Sequence, residues 1–134
     1  MNIEDIKLFV ADLDGTLIDT CKIYRKVWPK AVADMGYEMK DEHYLAMRSL
    51  GRPFAPQKML EWFGPSFDYD EARRIRKGYF DEYVANHPIE VKKGAFELLE
   101  YLKGKGIATA IDALSVGFTI SMYDALLANI ASII

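Results

Sequence analysis

Three features of the 134-residue sequence predict an α/β fold in which an all-helical segment interrupts a parallel sheet. Apolar runs at residues 7–11 and 107–111 lack polar alternation, the pattern of strands covered on both faces. Between about Thr20 and His87, aromatic and methionine residues recur among charges at helical spacing, and nothing there reads as a strand. Residues 93–106 then form a helix that feeds directly into the second apolar run. Without the insertion, a strand, a helix and a strand remain, and such a crossover is right-handed with parallel strands.

The elements follow in order. The first strand, Lys7 to Ala11, is bounded by Asp12 and Gly15. A helix over roughly 21–35 is closed by Gly36, and a second follows Asp41 as its N-cap and ends before Gly51. A third starts near Pro53 and ends before Gly64. The fourth, about Asp70 to Asn86, places Ala72, Ile75, Tyr79 and Tyr83 on one stripe, leaving Arg73, Arg74, Arg76 and Lys77 to a solvated face. In the helix over 93–106, Phe96, Leu99 and Leu102 share a face, and "GKG" is the stop.

Seventeen Lys and Arg against twenty Asp and Glu give a formal charge of −3, which offers nucleic acid or an anionic membrane no basic surface. Cys21, the only cysteine, has no partner for an internal disulfide and reads as a small apolar helix residue. It lies far in sequence from His43 and His87, without the spacing of a zinc site. The N-terminus does not read as a secretory leader, so a cytoplasmic protein is expected.

The chemistry concentrates in "LFVADLDGTLIDT", residues 8–20. In open parallel sheets ligands bind beyond the carboxyl ends of the strands, where Asp12, Asp14, Gly15 and Thr16 fall. One carboxylate there can act as a nucleophile, and a second two residues later can give or take a proton. Gly15 allows a sharp turn beside a ligand, Thr16 adds a hydroxyl donor, and paired anions invite a hard cation such as Mg²⁺. A plain polar turn is the alternative, but D-x-D-G-T arises by chance only about once per thousand sequences of this size.

"VADLDGTLIDT" resembles the first motif of the haloacid dehalogenase-like hydrolases, and the helical insertion resembles that superfamily's first-type cap. The resemblance reaches about residue 111 and is nearest the small-molecule phosphatases and β-phosphoglucomutase-like members. It implies a Rossmann-like core, incomplete here, from residues 1–19 and 88–134, with a cap over 20–87. It implies that Asp12 forms an aspartyl-phosphate and that Asp14 is the acid/base. Mg²⁺ would bind the Asp12 carboxylate and the Asp14 backbone carbonyl, and the substrate would be a small phosphomonoester such as a sugar phosphate. In "LGRP", Arg52 is either a contact to a substrate phosphate or sugar substituent, or an exposed arginine beside a turn.

The sequence departs from the family pattern after the second strand. The expected phosphate-binding hydroxyl falls near Asp112 or Ala113, leaving Ser115 as a substitute and Thr109 as a weaker one. No Lys or Arg follows Lys105 to supply the third motif, and Asp124 is the sole acidic residue after Asp112. A member lacking its C-terminal part, inactive and binding only metal or a partner chain, is therefore the alternative expectation. A phospho-accepting receiver domain fits less well, because neither the second carboxylate nor the helical insertion belongs to it.

Residues 113–134 hold Asp124 as their one charge, with Phe118, Met122, Leu126 and Ile130 at helical spacing. Asp124 at the centre of a membrane span would cost about 2.5–3.5 kcal/mol, so a buried or subunit-interface helix is expected, with self-association through this segment.

Overall fold

The structure, a computed structural model, describes residues 1–112. Ser115, Asp124 and the apolar segment expected to self-associate lie outside the described residues. After a short 3-10 turn, Ile3–Asp5, come β1 (Leu8–Asp12), α1 (Thr20–Asp34), α2 (Asp41–Met47), α3 (Phe54–Phe63), α4 (Tyr69–Asn86), α5 (Ala95–Gly104) and β2 (Ala108–Asp112). The chain divides into two compact units, one comprising Met1–Thr20 and the chain from Ile89 on, the other Cys21–Pro88.

In the first, an α/β unit, β1 and β2 pair in parallel from Leu8 opposite Ala108 to Asp12 opposite Asp112. Both strands lie one residue later than the apolar runs suggest. At β2 the reason is local: Gly106, at φ 70°, lets the Ile107 N–H reach back to the Leu102 carbonyl at 3.0 Å. This closes α5 and spends Ile107 on the helix end.

Ala11, Leu13, Leu17 and Ile18 form the core of this unit with Ala95 and Leu99 of α5, and Phe9, Val91, Phe96 and Ile111 pack against it. The expectation of a first strand covered on both faces is not met among the described residues. The pleat sends Phe9 and Ala11 into this core and leaves Leu8 and Val10 56% and 57% exposed.

The second unit is all-helical around Trp28, Val32, Met39, Tyr44, Met47, Met59, Phe67 and Ala72. Gly36 ends α1 in the left-handed region (φ 87°), as its spacing predicts. Lys40, not Asp41, precedes α2: its backbone N–H donates to His43 Nδ1 at 3.1 Å, while the Asp41 carboxylate is taken by Arg25. Helix α4 is capped by Asp68, whose side chain accepts from the Glu71 N–H at 3.0 Å.

The face that α4 buries also differs from expectation. Ala72 and Phe80 are its buried residues, four positions on either side of Arg76, whereas Ile75, Tyr79 and Tyr83 are only half-buried. Contact with α1 sets this phase, because Tyr24 stacks on Phe80 at 4.8 Å and accepts the Arg76 guanidinium over its ring at 5.0 Å. Of the four cations assigned to a solvated face, Arg74 and Lys77 do pair with Glu71 and Asp81 in the open. Arg76 does not belong with them.

Candidate active site

The alternation of β1 turns the Asp12 side chain outward at the carboxyl end of the sheet, where it is exposed. The Leu13 N–H still donates to the Asp112 carbonyl at 3.0 Å, so the ladder runs one residue past Asp12 before the chain turns. Asp112, one of the two residues near the expected hydroxyl position, is thus the direct neighbour of Asp12 across the sheet.

The turn is held from beneath. Leu13, Leu17 and Ile18 are buried in the α/β core. The Leu13 carbonyl accepts from Leu17 at 3.0 Å and Ile18 at 3.1 Å, and the Gly15 N–H donates to the Ile18 carbonyl at 2.8 Å. Gly15 sits at φ 76°, a conformation that side chains with a Cβ resist. With the apolar residues drawn inward, Asp12 and Thr16 are left exposed and Asp14 and Gly15 half-exposed, gathered on one short loop. The return segment braces it: Ile18 bridges to Val91, and the Lys92 N–H donates to the Leu17 carbonyl at 2.8 Å.

Asp14 has a defined environment. Burial pushes its carboxyl above the ordinary range, a hydrogen bond from Thr20 pulls it back, and the nearby Asp12 charge raises it further. The Thr20 hydroxyl donates to Asp14 Oδ1 at 3.0 Å from a fully buried position at the start of α1. The sequence pattern alone assigns Thr20 no role. The available signal was a threonine at a helix start, six residues beyond the second aspartate.

The other expected contacts divide differently. Arg52 belongs to the helical unit, where it pairs with Asp70 and lies over the Tyr69 ring at 5.4 Å. Ser115 lies outside the described residues. Oxygen-only donors suit a hard cation, and Asp12 with the Asp14 backbone offers such donors. Among the described residues, no group of three or more His, Cys, Asp or Glu side chains gathers to hold a metal, so this is a partial set. No helix among them is long and apolar enough to cross a membrane.

Comparison with known proteins places these features in a family. The sequence profile described as haloacid dehalogenase-like hydrolase matches residues 9–113. Among solved structures, a predicted phosphoglycolate phosphatase from Haemophilus somnus superposes with a TM-score of 0.68 at 20% identity, covering 92% of this chain and 59% of its own. CbbY from Rhodobacter sphaeroides, in complex with xylulose-1,5-bisphosphate, gives 0.63 at 20% identity, with 90% and 55% covered. A β-phosphoglucomutase from Clostridium difficile gives 0.58 at 23% identity, with 79% and 50% covered. The chain therefore spans between half and three-fifths of the length of these structures.

Proposed function

Because the chain belongs to the haloacid dehalogenase-like hydrolases, we propose that it serves a Mg²⁺-dependent phosphatase or phosphomutase acting on a small phosphomonoester such as a sugar phosphate. The observation that carries this reading is the loop after β1, where an exposed Asp12 stands beside a half-buried Asp14 whose carboxyl burial raises above its ordinary value. Phosphatases and a phosphomutase among the structures of the same fold support the reaction class.

In the mechanism, an Asp12 carboxylate oxygen attacks phosphorus as the bond to the leaving oxygen breaks. Asp14 donates its proton to that oxygen and releases the alcohol. Now a carboxylate, Asp14 takes a proton from water, whose oxygen attacks phosphorus and breaks the bond to Asp12. Phosphate leaves, and both aspartates return to their starting states. In a mutase the second acceptor is a sugar hydroxyl instead of water.

Thr20 acts through Asp14 as a positioning residue. The turn at Gly15 lets the backbone approach the phosphate, with the Thr16 hydroxyl as a donor. Mg²⁺, when bound by the Asp12 carboxylate and the Asp14 carbonyl, would neutralise phosphate charge, on which phosphoryl transfer chiefly depends. We assign substrate selection to the helical unit, with Arg52 as a contact, and place the protein in the cytoplasm, where a lone cysteine stays reduced.

The test is phosphate release from a panel of phosphomonoesters with and without Mg²⁺, beside Asp12→Asn. Metal-dependent turnover abolished in the variant is expected. Turnover that survives Asp12→Asn refutes the assignment, and folded protein without turnover favours the inactive member that only binds metal or a partner. For Arg52→Ala the expected result is a raised KM, and an unchanged KM removes that residue from the substrate site.

A further inference from the structure

The third position of a helix is where a glutamate or glutamine ordinarily reaches back to the N-cap N–H and closes a capping box. In α2 that position holds His43, whose Nδ1 accepts the Lys40 N–H at 3.1 Å. A backbone nitrogen can only donate, so the lone pair of Nδ1 is committed to this bond and the neutral ring carries its proton on Nε2. The Lys40 side chain offers donors alone and cannot take over the acceptor's part. The cap of α2 therefore rests on an acceptor that exists in only one charge state of its side chain.

The surroundings hold the ring in either state. His43 is half-buried, stacked on Trp62 at 4.7 Å and meeting Phe63 edge-on at 5.7 Å. These two faces of α3 carry no charge, and an indole face also attracts a cation. The charged side chains that precede them on α3, Lys58 and Glu61, pair with each other at 2.9 Å. Asp41 is taken by Arg25 of α1, Glu42 is exposed, and Lys40 is a like charge for a protonated ring. What protonation removes is the cap: Nδ1 becomes a donor facing a donor, and the new positive charge at the start of a helix opposes its dipole.

We propose that the entry to α2 is a pH-operated cap, closed by neutral His43 and opened when the ring takes up a second proton. Imidazole is the side chain whose charge changes within the physiological range. The chain's other histidine supplies the contrast: His87 Nδ1 lies 3.0 Å from the Tyr83 carbonyl, an acceptor, so the ring donates there and the bond survives protonation. The device uses residues of the helical unit alone and does not rest on the phosphatase reading.

The experiment follows the full chain by NMR from about pH 8 to about pH 5. At the alkaline end the ring nitrogen shifts of His43 should report the Nε2–H tautomer. As the ring titrates, protection of the Lys40 amide against exchange, corrected for its intrinsic pH dependence, should fall about fivefold to tenfold, the loss of one hydrogen bond. Its midpoint should coincide with that of the His43 ring carbons, while the His87 amide, bonded to the Tyr83 carbonyl, keeps its protection. His43→Gln retains a reaching acceptor that does not titrate and should hold the Lys40 amide constant across the range. A Lys40 amide that stays protected while His43 titrates, an Nδ1–H tautomer at the alkaline end, or a transition that persists in His43→Gln overturns the proposal. The first two are read in the unaltered chain and decide even if the variant fails to fold.

Discussion

Ile18 is the test of whether the aspartate loop is held by the core beneath it. The side chain is completely buried, in the cluster it shares with Ala11, Leu13, Leu17, Ala95 and Leu99, and its carbonyl receives the Gly15 N–H. Ile18→Val removes one buried carbon, worth about 0.8 kcal/mol of transfer free energy. Ile18→Ala removes three, about 2.4 kcal/mol, and the unfilled space raises the total to about 3–4 kcal/mol. Leu8→Ala, at a residue 56% exposed on the other face of β1, should stay within about 0.5 kcal/mol.

Urea unfolding measures all three variants. It should be followed by amide signals of the α/β unit, because Trp28 and Trp62 both lie in the helical unit. Backbone amide exchange at Gly15 should accelerate in Ile18→Ala as its acceptor loosens. A free Ile18→Val substitution, or a Leu8→Ala cost equal to that of Ile18→Ala, would refute the assignment of faces and the anchoring of the loop.

The Asp14 carboxyl is raised by burial, opposed by Thr20, and raised again by Asp12, so the native state holds its proton more tightly than the unfolded chain. That contribution is fully present below the ordinary carboxyl range, about pH 4, and is lost as pH rises through the native titration. The stability of Asp14→Asn relative to the parent should therefore climb as pH rises above the usual carboxyl value, about pH 4, and a flat or falling difference in urea titrations contradicts the shift. Thr20→Val removes the lowering hydrogen bond, so Asp14 should titrate higher still by carboxyl NMR, with a stability loss of about 1 kcal/mol. Asp68→Ala removes the cap of α4 and should cost about 1 kcal/mol in thermal unfolding.

Much of this was legible because it is local. The string from Asp12 to Thr16 follows a run of strand-forming residues, so the carboxylates had to emerge at a strand end whatever the rest of the chain did. Gly36 and Gly64 stop their helices through backbone freedom that neighbours in sequence already reveal. The opposite holds for Asp41, which reads as a cap only until Arg25, sixteen residues away, claims its carboxylate.

The sequence by itself determined the family and the order of the elements, with helices standing between the two strands. Only the tertiary structure decided that Asp112 stands beside Asp12, that Thr20 holds Asp14, and that α4 turns Arg76 inward between Tyr24 and Trp28. Strand register, side-chain partners and helix phase are settled by contacts between residues distant in the chain. A hydrophobic pattern four residues wide fits two phases of one helix equally well until its neighbour is in place.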